Sequence, residues 1–412
     1  MESVITQIRS LAGDADGAGR AQIRHALRQL LVELETPKDL LMGIFNGHLQ
    51  IAAVRLGIES GLFRLLSQSE MPFEVAQVAQ ESSASPHLFE CVLRYLASNG
   101  LILEADHGKF KANRATHTLA SQMAEAFVYH AFDNCGPAIQ EFPSFFAETH
   151  YQEITSNTNT PFQKAFHTGL TCFAWLAQHP GRFDALQHVM TALESTDWTV
   201  GFDRFEKEAC AIIQLPQASR RPFLVDVGGG HGHQCVQLIK KYPNLSGWLV
   251  LQDLPQAVDQ LSQIDGVETM AYDIFQTQVV KGKSCIHAQH NWPTILPSST
   301  NMNLNPQGAK FYYLRRILHD YPDSQGIQIL KNLRAAMAHD SQILIDEMVL
   351  PETNVPWQAT LADLSLMVSM GGKERSKEQW ETLAEQSGLH VAEIHTYDNS
   401  DNFSVIVMMP RY

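Results

Sequence analysis

The sequence predicts an α/β protein of two domains, in which a Rossmann-like, doubly wound sheet follows a smaller helical domain of winged-helix type. Three observations carry that prediction. The chain has 412 residues, more than one hydrophobic core serves well, so division into domains is expected. From Phe223 onward, apolar runs of strand length (FLVDVGG, GWLVLQDLP, VETMAYDIF, AKFYYLRR, SQILIDEMVLP, LHVAEIHTYD, FSVIVMMP) alternate with helical stretches, the texture of a largely parallel sheet covered on both faces. The first of these runs breaks into LVDVGGGHGHQ, although glycine weakens a regular element by about 0.5–1 kcal/mol unless the local geometry requires it.

Taken in order, residues 3 to 35 place Ile5, Ile8 and Leu11, then Ile23, Leu27, Leu30 and Leu31, at helical spacing around the turn GDADGAG. Two amphipathic helices follow from that period, and their apolar faces need something to pack on. Between Leu40 and Ala120 come short helices in LLMGIFNGHLQIAAVRLGIESGLFRLL, FEVAQVAQESS and SPHLFECVLRYLASNGLI. In the last of them Ser85 is expected to cap a helix that begins at Pro86. LILEAD and GKFKANR then read as a hairpin turning at His107 and Gly108. Three helices and a hairpin in this order resemble a winged helix-turn-helix, yet the would-be recognition helix offers only Arg94 to DNA phosphates. Residues 1–120 are therefore assigned to a dimerisation domain rather than a DNA-binding one.

Residues 120 to 215 are helical and rich in aromatic rings. Rings at helical spacing are mostly core, and a subset can line a pocket for a flat, apolar ligand. The pocket candidates are His130 in FVYHAFD, which also reads as a core histidine, with Phe132, Phe173 and Met190, joined by Met367 and Met370 later in the chain.

Composition removes several function classes. A formal net charge of −14 disfavours nucleic acid and anionic membrane surfaces as partners. The start, MESVITQIRSLAGDADGAGR, is polar and acidic where a signal peptide is basic and apolar, and no stretch reaches the roughly 18 apolar residues of a membrane span. Cys91, Cys135, Cys172, Cys210, Cys235 and Cys285 lie far apart with no CxxC pair, which signals neither a disulfide framework nor a zinc site. A cytoplasmic protein without metal, acting on a small molecule, is expected.

The glycine run answers a chemical need. A first strand that leads through a glycine-rich turn into a helix presents backbone amides where a ligand approaches closely, so Asp226, Gly228, Gly229 and Gly230 are binding candidates. No Lys-Ser/Thr follows Gly232, His233 and Gln234, which argues against a phosphate P-loop. About 20 residues on, Asp253, followed by Leu254, ends the second strand where ribose hydroxyls are accepted. Asp273, followed by Ile274, closes the third strand near an adenine amino group. An adenosine-bearing ligand without a diphosphate fits these signals, and S-adenosylmethionine (SAM) fits better than NAD.

Four motifs, LVDVGGGHG, LQDLP, RRILHDYPD and GGKERS, make the chain from about Leu40 to its end resemble the caffeic-acid-type SAM-dependent O-methyltransferases of plants and fungi, in their fungal secondary-metabolite branch. The resemblance implies a homodimer in which residues 121–412 form a helical linker plus the SAM-dependent methyltransferase domain. It further implies that His319 of LHDY is the general base, that Glu347 of IDEMVLP and Glu374 of GGKER both hold its imidazole, and that Arg315 lies near the cofactor. Tyr321 stands where a Trp is common. The chemistry is consistent, because a phenol with a pKa near ~10 is protonated at neutral pH, and a positioned imidazole that removes the proton contributes on the order of 10²–10⁴ in rate. Carboxylates beside the ring fix its tautomer. The rival reading is a SAM-binding pericyclase or dehydratase of the same fold, in which the base is typically lost or replaced; His319, Glu347 and Glu374 are all present here.

One stretch breaks the pattern. Residues 282–307 have no period and fall where the related enzymes have a short link, and removing them leaves VVKGAKFYYLRRILHDYP, an ordinary junction. We read them as a translated intron, an expectation that sequencing of the mature transcript tests directly.

Overall fold

The computed structural model describes residues 2–192, 197–212, 221–259, 261–280 and 308–411, and the segment 282–307 lies outside them. The chain forms two compact units, residues 1–151 with 161–195, and residues 152–160 with 196–412.

The first unit opens with helices Glu2–Asp14 and Gly17–Leu34. Asp16 caps the second of them through Oδ1, which accepts the Gly19 amide at 2.8 Å. Helix Pro37–Glu59 starts from a reciprocal cap between Thr36 and Asp39. Along these helices Ile5, Leu11, Leu27, Leu30, Leu31, Leu41, Ile44 and Phe45 remain exposed, so the amphipathic period is present while its apolar face stays open. Behind them strands β1 (Phe73–Glu74), β2 (Leu103–Asp106) and β3 (Lys109–Lys111) make a small antiparallel sheet in the order β1-β3-β2. The expected hairpin is β2 and β3, turning at His107–Gly108. Helix Pro86–Ser98 begins where expected, but the Ser85 side chain makes no capping hydrogen bond; the start rests on the fixed φ of Pro86. Arg94 is paired with Glu90 on its own helix at 2.6 Å, which weakens it further as a phosphate contact. Leu62, Phe63, Leu93, Leu96 and Phe110 fill the core. Of the later aromatic rings, Phe145 and Phe162 are buried, whereas Phe127 and Phe132 are exposed.

The second unit is built on eight strands: β4 (Leu224–Val227), β5 (Leu249–Asp253), β6 (Val267–Ala271), β7 (Phe311–Arg315), β8 (Gln342–Leu350), β9 (Arg375–Ser376), β10 (Leu389–Asp398) and β11 (Phe403–Pro410). Their order is β10-β11-β8-β7-β4-β5-β6, with β9 beside β8. Strands β4 to β8 are parallel, and β11 and β10 add an antiparallel edge. Alternate residues feed two cores. Val225, Val227, Tyr312, Leu314 and Ile343 pack on one side, and Leu224, Leu249, Leu251, Phe311, Tyr313 and Leu344 on the other. Burial on both faces is what makes these strands read as continuous apolar runs. From β4 the chain winds outward to β5 and β6, then returns to place β7 on the other side of β4. The carboxyl ends of β4 and β7 therefore flank the crevice where open α/β sheets bind ligands. Among the described residues no helix is long and apolar enough to cross a membrane.

Candidate active site

The glycine turn grows from the end of β4. Gly228 and Gly230 take φ of +76° and +52°, a region L side chains rarely occupy. A Cβ on Gly228 would stand 2.5 Å from Ile317 Cδ1, whereas one on Gly230 would meet nothing within 4 Å. Gly228 thus lets β4 and the segment after β7 approach, and Gly230 keeps space open.

The amides of this turn are not bare, contrary to the sequence expectation. Gly228 and Gly229 donate to the Gln252 carbonyl at 2.7 and 3.2 Å, and Gly232 donates to the Gly229 carbonyl at 2.9 Å. Gly230 donates to Asp253 Oδ2 at 2.8 Å. The reason is that the turn folds back onto the end of β5, where half-buried amides find acceptors. Among the described residues the carbonyls of Gly228 and Gly230 accept no hydrogen bond.

Asp226 is buried beneath it, with its Oδ2 3.5 Å from Cys235 Sγ, and burial together with this carboxylate pushes the thiol pKa up. Asp253 ends β5 as expected; its Oδ1 accepts the amide of the exposed Leu254 at 2.7 Å. Asp273 does not close the third strand, because β6 stops at Ala271; Asp273 sits in the following turn, where Oδ1 accepts the Phe275 amide at 2.9 Å. The neighbouring Ile274 is half-buried, and its carbonyl accepts from Asn332 at 3.1 Å. Arg315 Nη1 donates to Asp346 Oδ2 at 2.8 Å, directly across the β7–β8 register, while its buried Nε has no hydrogen-bond partner among the described residues. Tyr313 and Tyr397 donate to the same carboxylate at 2.6 Å each. A buried acid requires such compensation.

The second cluster follows β7. Arg316, at φ +54°, turns the chain into a short 3₁₀ helix, Leu318–Asp320. His319 Nδ1 lies 2.9 Å from Glu374 Oε1, which assigns Nδ1–H as donor and leaves the Nε2 lone pair as the basic site. Sequence reasoning expected both acids on the ring, and only Glu374 is there. Glu347, three residues inside the end of β8 rather than at it, turns Oε1 onto the amides of Ile317, Leu318 and His319 at 3.1, 2.6 and 3.2 Å. It shapes the turn and touches the imidazole only through charge. Glu374 is buried rather than solvated, and its own amide donates to Asp363 Oδ1 at 2.9 Å. Asp320, which sequence reasoning passed over, places Oδ1 3.5 Å from His319 Nε2. The acid next to the base in LHDY was the available signal.

Electrostatics follow from this crowding. Burial opposes a charge on the His319 ring, but the carboxylates of Glu374, Asp320 and Glu347 favour it and prevail, raising the pKa to about 10. Burial first, with Glu374 adding to it, pushes Asp320 up to about 6 and Glu347 up to about 7. Oε2 of Glu347 and Oε2 of Glu374 are buried without a hydrogen-bond partner. Donor atoms of His319, Glu347 and Glu374 lie within 4.8 Å of one another, the one grouping among the described residues that could hold a metal ion.

The pocket candidates divide between the units. His130, Phe132, Phe173 and Met190 belong to the first, Met367 and Met370 to the second. His130 opens a π-helical turn, His130–Cys135, with Nδ1 3.0 Å from Asn134 Nδ2; burial lowers its pKa to about 4, so the ring is neutral. Phe132 and Met190 are exposed, and Phe173, Met367 and Met370 are half-buried.

Two family models match, an O-methyltransferase dimerisation domain over residues 42–124 and an O-methyltransferase domain over residues 300–390. The demethylsterigmatocystin 6-O-methyltransferase of Aspergillus flavus is 36% identical over 411 residues, covering 100% of this chain and 98% of that relative. Among solved structures, LepI in complex with SAM aligns with a TM-score of 0.83 at 34% identity, covering 100% of this chain and 98% of that one. A structure described as a pericyclic reaction enzyme aligns with a TM-score of 0.82, also at 34% identity, over 100% of this chain and 99% of that one.

Proposed function

The chain belongs to the SAM-dependent O-methyltransferase family, and from that premise we propose that it methylates a phenolic or enolic hydroxyl of a small secondary metabolite, with His319 as general base. The observation that carries this reading is the imidazole itself, tethered through Nδ1 to a buried carboxylate with Nε2 left basic. SAM bound in the crevice supplies a methyl carbon made electrophilic by its sulfonium. The open space at Gly230 and the two unpaired carbonyls of the turn suit the positive groups of that cosubstrate. Gly228, Gly229 and Gly230, Asp253 with Leu254, and Asp273 with Ile274 would hold it, while Asp226 and Arg315 support the turn and the strand ends from beneath. His130, Phe132, Phe173, Met190, Met367 and Met370 remain our candidates for contact with the acceptor, which they suit if it is large, planar or apolar.

The chain's own residues then move one proton. His319 Nε2 accepts it from the acceptor hydroxyl, and Glu374 holds the imidazolium that results. The surrounding carboxylates raise the pKa of His319 to about 10, above the operating pH at which a general base is most efficient, so the neutral imidazole that accepts the proton is the minority form near neutrality. The sign of the pH dependence follows. Below about 10 the free enzyme carries one proton more than the reactive imidazole–phenol pair, so log kcat/KM should climb with a slope of about one from neutrality before levelling. In Glu374→Gln the leading source of the raised affinity is gone and levelling should come at lower pH. A profile identical to wild type would reject the pairing.

Incubation with methyl-labelled SAM and candidate phenolic polyketides tests the reaction: label and 14 added mass units (the mass of CH₂, roughly) in the product support transfer. Label retained in SAM while the acceptor isomerises selects the pericyclic alternative. We also propose a homodimer formed through the apolar helices that precede and begin the matched dimerisation domain, acting in the cytoplasm; a monomeric mass by light scattering would overturn the dimer.

A further inference from the structure

Glu374 is followed by an arginine whose side chain is wholly buried, at 0% exposure, and which the proton transfer does not use. We propose that Arg375, braced by Asp323, is a positioning residue that holds the His319 turn against Glu374. The inference rests on the reading of His319 as the base.

The guanidinium reaches three places at once. Nη1 donates to the Leu318 carbonyl at 3.0 Å and Nη2 to the Tyr321 carbonyl at 2.9 Å, so the two contacts bracket His319 and Asp320. Nε donates to Asp323 Oδ1 at 3.0 Å, and the plane lies 5.2 Å from the Trp380 ring centroid. Lys373, on the other side of Glu374, donates its amide to the His319 carbonyl at 2.9 Å. Its Nζ meets Asp323 Oδ2 at 2.5 Å. Three consecutive residues therefore have distinct tasks: 373 and 375 hold the turn's backbone, and 374 holds the ring. The brace is anchored, because Arg375 in β9 pairs with Val349 of β8, the strand that carries Glu347. The segment 317–321 holds itself by two hydrogen bonds, from the Asp320 amide to the Ile317 carbonyl and from the Tyr321 amide to the Leu318 carbonyl, at 3.2 Å each; beyond these, the amides of 317–319 go to Glu347 and the carbonyls of 318, 319 and 321 to residues 373 and 375. A fork of donors in one plane is needed to span two carbonyls and a carboxylate, which lysine's single ammonium does not provide. The charged groups that face His319 from every side are then Glu374, Asp320 and Glu347, and a shift of its backbone changes its distance to all three.

The test uses the full-length enzyme and compares wild type with Arg375→Lys, Asp323→Asn and His319→Ala. Misplacement by about 1 Å is enough for large losses in rate. Arg375→Lys should bind SAM within about twofold of wild type by calorimetry while kcat falls about tenfold or more, and the pH at which kcat/KM levels should move down as His319 separates from its carboxylates. Asp323→Asn, at a half-exposed side chain, should show the same shift with a kcat loss of about threefold, and it carries the test if the arginine variant does not fold. Folded variants with wild-type kcat and pH profile overturn the proposal, as does a loss that merely tracks a lower folded fraction with the profile unmoved. Full activity in His319→Ala would instead overturn the base on which it rests, so the two failures are distinguishable.

Discussion

The second unit contains two glycine turns that differ at Gly230. In Gly228–Gly232 a Cβ on Gly228, Gly229 or Gly232 would strike Ile317, Asp226 or Ile264 respectively, whereas Gly230, at φ +52°, faces open space. At Gly371–Gly372 the backbone withdraws so that the chain can meet itself, since a Cβ on Gly372 would overlap the His319 carbonyl. On our proposal the open side of the first turn is a cradle for the cosubstrate, and the second closes a brace around the proposed base. Glycine in a sequence marks a place where side-chain volume is forbidden, and the tertiary neighbour decides whether that volume belongs to a ligand or to the protein.

The contrast can be broken most sharply on the brace side. His319→Ala should lower kcat by about a hundredfold or more with the SAM dissociation constant nearly unchanged by calorimetry, and an equal fall in both would sink the assigned role. Gly372→Ala should be next. Pushing the His319 carbonyl aside should reduce kcat by about ten- to a hundredfold and lower Tm, again with SAM affinity retained; wild-type kinetics would show that the close approach is not needed. On the cradle side the pattern should invert. Gly228→Ala combines a left-handed backbone with the Ile317 contact, so the SAM dissociation constant should rise about tenfold while kcat at saturating SAM stays within a few-fold. The smallest effect belongs to Gly230→Asn, because Asn tolerates this conformation and no neighbour obstructs it. We expect a SAM dissociation constant a few-fold weaker, with Tm changed by no more than about 2 °C. A large drop in Tm there would mean that the open space belongs to the protein after all.

Much of this was legible because it depends on local pattern. Strands buried on both faces appear as apolar runs, and β4, β5, β7, β8, β10 and β11 fall inside the segments expected. Pro86 and the His107–Gly108 turn set the winged part's helix start and hairpin by their own backbone preferences. His319, Glu347 and Glu374 were found as a set, and the structure gathers their donor atoms within 4.8 Å. What escaped was the direction of each hydrogen bond. The glycine amides were expected to be bare, yet Gln252 and Asp253 occupy them from the neighbouring strand. Glu347 was assigned to the imidazole and serves the turn's amides instead.

By itself, then, the sequence determined the two-domain α/β organisation and the order of strands and helices along the chain, because periodicity and turn chemistry are properties of neighbouring residues, and its motifs singled out His319, Glu347 and Glu374 as one group. Only the tertiary structure decided which acid touches the imidazole, which amides remain available, and that a buried arginine ties the base to its partner. Those outcomes depend on which strand lies beside which and in what register, and hydrogen bonds, effective over about 3 Å, are set by that placement rather than by distance along the chain.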